Sequence, residues 1–132
     1  MYEALILIDP EMVITAEQVA VALREYYQGK QDAPTEIVHA GQSIKLVWDG
    51  YTLELYRSSA SHVLEESMEI AQRFGQMHSS RDRIALCACR FEMSGDDDAD
   101  MHRFNDYLFV GEQLSRLGRV YRFDQASSEF MD

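Results

Sequence analysis

Between Ala4 and Ile8 the chain is apolar at every position. On an extended backbone Leu5 and Leu7 take one side while Ala4, Ile6 and Ile8 take the other. A strand that is apolar on both sides belongs in the middle of a sheet with both faces covered, so Tyr2–Ile8 is predicted to be central. Asp9-Pro10 ends it, because the proline disfavours helix before it and offers no amide donor. Thr15 with Gln18 three residues on is a capping-box pair, and Ala16, Val19, Ala20, Leu23 and Tyr27 then follow at helical spacing. The spacing predicts a helix over Ala16–Gln28, with Gly29 closing it.

The clearest hairpin lies around Asp49-Gly50, which separates Ile44–Trp48 from Tyr51–Tyr56 and has the composition of a two-residue type I′ turn. That turn dictates the register. Trp48 opposes Tyr51, Leu46 opposes Leu53 and Ile44 opposes Leu55 on one apolar face. On the other, Val47 opposes Thr52 and Lys45 opposes Glu54, so this side faces water. Thr35–Ala40 reads as a further strand joined through Gly41-Gln42, with alternation too weak to choose its buried face.

A second helix is predicted from a cap at Ser59 or Ser61 to a stop at Gly75. Val63, Ser67, Ile70, Ala71 and Phe74 point inward, and Glu65, Glu66, Glu69, Gln72 and Arg73 form the wet side. Gln76–Arg83 is polar and reads as a loop, and Ile84–Met93 as a strand whose first half is buried. A third helix follows over Asp98–Leu117, with Met101, Phe104, Leu108, Gly111 and Leu114 as its inner stripe. Tyr107, Phe109 and Val110 make its middle apolar nearly all round, more than one covered face requires. Arg119–Asp124 reads as a last strand, and Phe130 in the tail is placed to tuck onto the sheet. The order β-α-β-β-β-α-β-α-β predicts one α+β domain: a single mixed, largely antiparallel sheet with three helices packed mainly on one face.

Composition adds compartment and partners. No run approaches the roughly 18 apolar residues of a membrane span, and the N-terminus lacks the basic and small-residue pattern of a signal peptide. The two cysteines, Cys87 and Cys89, project from one face if they share a strand, a spacing that seldom suits a disulfide. A reduced, cytoplasmic setting is expected. Twenty-three Asp and Glu against twelve Lys and Arg give a formal charge of −11. Such a chain repels nucleic-acid phosphates and anionic lipid, and speeds encounter with a basic protein.

Several clusters could carry chemistry, and each has a plainer explanation. Asp96, Asp98 and Asp100 mimic the first ligands of a calcium loop, but that loop needs Gly and Glu where this chain has Met101 and Tyr107. With Asp97 and His102 they serve more simply as acidic residues at the positive end of a helix. His62 with Glu66 and Glu69, or His102 with Asp106, supplies at most part of a zinc set. Cys87 and Cys89 lie among apolar neighbours, the setting of packed rather than reactive thiols. No G-x-S-x-G, phosphate-binding loop or dinucleotide fingerprint occurs.

The resulting expectation is a non-enzymatic acidic domain that binds a protein partner, such as an inhibitor or immunity-type protein, without cofactor or metal. Glu65, Glu66, Glu69, Asp97, Asp98, Asp100, Trp48 and Phe109 are its candidate contact residues. The alternatives are a small metal-dependent enzyme using the Asp96–His102 region, or a subunit that dimerises through the helix around Phe109.

Overall fold

The structure is a computed structural model that describes residues 2–131. Among them the chain forms β1 (Glu3–Ile8), α1 (Ala16–Tyr27), β2 (Glu36–Ala40), β3 (Ser43–Trp48), β4 (Tyr51–Ser58), α2 (Ser61–Phe74), α3 (Arg81–Ile84), β5 (Cys89–Gly95), α4 (Phe104–Leu117), β6 (Val120–Asp124) and β7 (Glu129–Phe130). The strands make one sheet in the order β2-β3-β4-β5-β1-β6-β7. The α+β class with a single sheet is therefore as the pattern predicts. Every neighbouring pair is antiparallel, however, so the sheet is not mixed. The crossovers through α1 and α4 do carry the chain back in the same direction. Their strands are not neighbours: β1 lies between β5 and β6, and three strands separate β1 from β2.

β1 is buried on both sides, as its composition demands. Ala4, Ile6 and Ile8 join a core with Val19 and Leu23 of α1 and with Tyr107, Val110 and Leu114 of α4. Leu5 and Leu7 join a second core with Ile70 and Ala71 of α2, Ile84, Cys87, Tyr121 and Phe123. The helices are thus divided between the two faces instead of lying mainly on one. The division follows from β1, whose side chains on either side would each lose about 1.5–3 kcal/mol of burial if left wet.

The hairpin register is the one the turn dictates, from Trp48↔Tyr51 to Ile44↔Leu55. Of the two turn residues only Gly50 takes a positive φ, 76°, so the turn is not type I′, which needs both. The register is fixed by burial: Ile44, Leu46, Trp48, Tyr51, Leu53 and Leu55 all enter the first core. The capping box of α1 forms, with the Gln18 amide donating to the Thr15 hydroxyl at 3.1 Å and the Thr15 amide donating to the Gln18 side chain at 2.8 Å.

Other boundaries move for identifiable reasons. α2 has Ala60 at its cap and no side-chain cap bond, so neither Ser59 nor Ser61 serves. Ile84–Ala88 is not strand. Ile84 ends α3, and the Ser67 hydroxyl of α2 donates to the Cys87 carbonyl at 2.7 Å, which holds this backbone away from the sheet. Cys87 consequently enters the second core while Cys89 packs against the first, so the thiols do not share a face. The last long helix begins at Phe104, not at Asp98. The Asp98 carboxylate accepts the amides of His102 and Arg103 at 3.1 and 2.8 Å, closing a separate turn in which Met101 takes a φ of 58°. Its buried stripe is Tyr107, Val110, Gly111, Gln113 and Leu114, while Met101 is exposed. The tail does more than tuck onto the sheet: Phe130 lies in β7, an added edge strand, opposite Phe123 of β6 with their rings 5.2 Å apart.

Of the glycines, Gly95 has the least room: an added methyl would run into the Tyr51 hydroxyl and come within 3.1 Å of Leu53 Cδ1. That hydroxyl is itself buried without a hydrogen-bond partner among the described residues. Gly95→Ala is expected to destabilise the fold by about 1–3 kcal/mol. Tyr51→Phe alone should be neutral or stabilising, since it removes an unpaired buried hydroxyl, and it should shrink the Gly95→Ala effect. Urea unfolding of the four proteins checks this; an equal effect of Gly95→Ala in both backgrounds would contradict the contact.

Candidate functional site

The residues singled out by sequence do not converge. Glu65, Glu66 and Glu69 lie on α2, on one side of the sheet. Glu69 pairs with Arg73 at 3.0 Å along the helix, while Glu66 leans over the sheet to Arg90 at 2.8 Å. Phe109 lies on the opposite side, on the outer surface of α4 beside Tyr26, and is 37% exposed. The apolar surplus of that helix is mostly taken inward, because Tyr107 and Val110 are both buried. Trp48 is no surface anchor at all. It is 3% exposed, its Nε1 donates to the Asp32 carbonyl at 2.9 Å, and the Arg103 guanidinium lies over its ring at 4.8 Å.

The Asp96–His102 segment, between β5 and α4, uses its carboxylates on the protein's own donors. Asp96 accepts the Thr52 amide at 2.9 Å, and Asp98 accepts the Tyr2 hydroxyl at 2.7 Å besides its two amides. Asp97 and Asp100 are exposed. Among the described residues no group of three or more His, Cys, Asp or Glu is arranged to hold a metal ion. Burial pushes the Cys87 thiol up to about 12 and raises Cys89 as well, so neither is a thiolate near neutral pH.

One buried gathering of ionisable groups is not announced by the sequence. Asp9, at the end of β1, is buried beneath α3. Arg83 donates to it from Nε at 2.7 Å and from Nη2 at 2.6 Å; the Tyr121 hydroxyl donates at 2.6 Å and the Glu11 amide at 3.1 Å. The Arg83 guanidinium holds this carboxyl far below the usual carboxylate range, against the opposing effect of its burial. Both oxygens are taken and no side-chain atom of Asp9 is exposed, so the cluster has no room for a substrate. It fastens α3 and β6 to the end of β1.

What remains open is half of one sheet face. α2 and α3 cover the second face over β1 and β6, and among the described residues no helix covers it over β2, β3 and β4. The register lays its side chains in rows. One row runs Glu36–Val47–Thr52; the next runs Val38–Lys45–Glu54–Ser94–Glu3; a third runs Ala40–Ser43–Tyr56–Glu92 and passes under α2 at Leu5. Tyr56 is 46% exposed and Val38 40%. The Lys45–Glu54 pair expected to face water does so, at 3.7 Å. Arg90 lies flat on the sheet, buried, and is shared by Glu92 at 2.9 Å and Glu66 at 2.8 Å. Between α2 and this row the surface dips into a hollow of about 420 Å³ lined by Glu3, His62, Arg90, Glu92 and Ser94. A second hollow of about 230 Å³, beside Lys45, Glu54, Ser94 and Asp96, adjoins it. With Glu66 and Asp96 at the rims, the face presents Glu3, Glu36, Glu54, Glu92 and these two carboxylates against, among the described residues, the cations Lys45 and Arg90.

The class defined by these features is an α+β domain with a seven-stranded antiparallel sheet, one face covered and the other half covered. The chain matches no protein-family model, no curated protein and no solved structure. No helix among the described residues is long and apolar enough to cross a membrane.

The Asp9 cluster predicts an acid limit to stability. A carboxyl whose folded pKa lies below its unfolded value of about 3.9 stabilises the fold fully above that value. Its contribution then fades as pH falls from about 4 toward the folded pKa. Asp9→Asn should cost about 3 kcal/mol at pH 7, because Arg83 is left facing a neutral group, and should flatten the loss of stability below pH 4. Tyr121→Phe should cost about 1.5 kcal/mol. Chemical unfolding across pH decides it, and an Asp9→Asn protein as acid-sensitive as the parent would exclude Asp9 as the group responsible.

Proposed function

We propose that the protein is a non-enzymatic binding domain that engages a basic protein partner through the uncovered half of its sheet. The observation that carries this reading is the composition of that half-face: six carboxylates against two cations, around an exposed Tyr56 and Val38. Both cations are already paired within the face. Its field is therefore negative at close range, as the −11 chain is at long range, which steers a basic surface toward it and repels polyanions. Tyrosine at the middle of such a surface is a favoured anchor and can also take a cation over its ring.

The role that suits this chemistry is an inhibitor or immunity-type protein that caps a basic surface on another protein. Of the residues chosen from sequence, Glu66 belongs to the face directly, while Glu65 and Glu69 add charge along α2. Asp97 and Asp100 extend the negative potential at its end. Phe109 and Trp48 take no part. A metal-dependent enzyme at Asp96–His102 is disfavoured, because Asp96 and Asp98 already serve backbone amides and Tyr2.

Capture of partners from the native organism's lysate tests the reading, using the parent, Glu36→Lys/Glu54→Lys, and Glu17→Lys/Glu25→Lys as a control on the far face. Basic proteins bound by the parent at about 50 mM salt should be lost near 0.5 M. The sheet-face variant should retain them at least about tenfold less well, and the control should behave like the parent. Capture indifferent to salt and to Glu36 and Glu54 would refute it.

A further inference from the structure

The two faces of the sheet are unevenly furnished. On the first, α1 and α4 lie side by side and bury the inward residues of β2 through β6. On the second, α2 and the short α3 bury Leu5, Leu7, Tyr121 and Phe123 on β1 and β6, and α2 reaches over β5, where Glu66 holds the buried Arg90. The strip over β2–β4 is the place where this face lacks a helix. Strands lie about 4.8 Å apart, so three of them span about 10 Å between the outer axes. A helix with its side chains is about 10–12 Å across. The strip is one helix wide, bounded on one side by α2 and open on the other.

Its side chains suit a helix of one character. Val38, Val47 and Tyr56 stand on three adjoining strands and offer apolar contact along the strip. Glu36, Glu54 and Glu92 flank them, and Glu92 is held in place by Arg90, which donates to it from Nε at 3.0 Å and Nη2 at 2.9 Å. Addition of a partner strand fits less well. Among the described residues the one long free edge, that of β2, has Arg24 of α1 donating to the Ile37 carbonyl at 3.1 Å, so the edge is partly occupied.

Resting on the binding reading above, we infer that the partner element is a basic amphipathic helix that lies beside α2 and completes the second layer. Its apolar stripe meets Val38, Val47 and Tyr56, and Lys or Arg one turn apart on its flanks meet Glu36, Glu54 and Glu92.

The probes are three synthetic peptides of about 18 residues, long enough to form a helix on a surface. The first is a Leu/Lys sequence with leucines at helical spacing; the second has the same composition scrambled so that no apolar stripe forms; the third replaces Lys by Glu. Titration of isotope-labelled protein at low salt reads amide shifts, and circular dichroism reads peptide helicity. The first peptide should shift Val38, Lys45, Glu54, Tyr56 and Ser94, gain helix on binding, and bind at least about tenfold more tightly than the second; the third should not bind. Tyr56→Ala, an exposed change, should weaken the first about tenfold. Equal binding of the first two peptides on this face would overturn the helix and leave a basic partner standing. Shifts confined to α1 and α4, or none with either basic peptide, would overturn both.

Discussion

The structure depends on one constraint: β1 is apolar on both faces and must be covered on both. Its neighbours in the hairpin are different, since β3 and β4 have one apolar face and one that carries Lys45, Thr52 and Glu54. A sheet that places β1 beside β5 and β6 therefore needs helices on either side at that end and on one side only at the other. The distribution of α1 and α4 against α2 and α3 satisfies this requirement. The bare half-face is its consequence, since nothing in β2–β4 demanded a second cover.

The charge of the chain divides in the same way. Four tyrosine–aspartate hydrogen bonds tie distant segments together: Tyr2 to Asp98, Tyr27 to Asp106, Tyr107 to Asp124 and Tyr121 to Asp9, at 2.6–2.9 Å. Asp32 is engaged bidentately by Arg103, at 2.7 and 3.0 Å. Each of these carboxylates accepts a hydrogen bond that joins two separate parts of the fold. The aspartates thus do much of the internal fastening, whereas the carboxylates of the open face are glutamates apart from Asp96 at its rim. A formal charge of −11 describes both populations and distinguishes neither.

The local features were legible. Two-sided apolarity placed β1 at the centre, alternation about Asp49-Gly50 gave the hairpin register and its wet face, and Thr15–Gln18 marked the start of α1. What escaped the sequence was whatever depends on strand order. The apolar run Ile84–Ala88 suits helix or strand equally by pattern, and only its bond to Ser67 of α2 decides it. Trp48 beside a turn resembles an exposed anchor until α1 and Arg103 are seen to close over it. Glu36, Glu54, Tyr56 and Glu92 come from three strands and meet only through the β2-β3-β4-β5 order, so no local spacing could have assembled them. Lys45 opposite Glu54, and Glu66 on α2, were the corners of the site visible in the sequence.

The claim at the centre is that half of the second sheet face is bare in the free protein, and tyrosine reports on it directly. Hydroxyl-radical footprinting of the unbound chain should label Tyr56 and Val38 rapidly, because both stand open on that face. Tyr51, Tyr121, Leu7 and Phe123, under the helices or in the core, should be protected. Labelling of Tyr56 as slow as that of Tyr51 or Tyr121 would mean that the strip is already covered, and the account would fail.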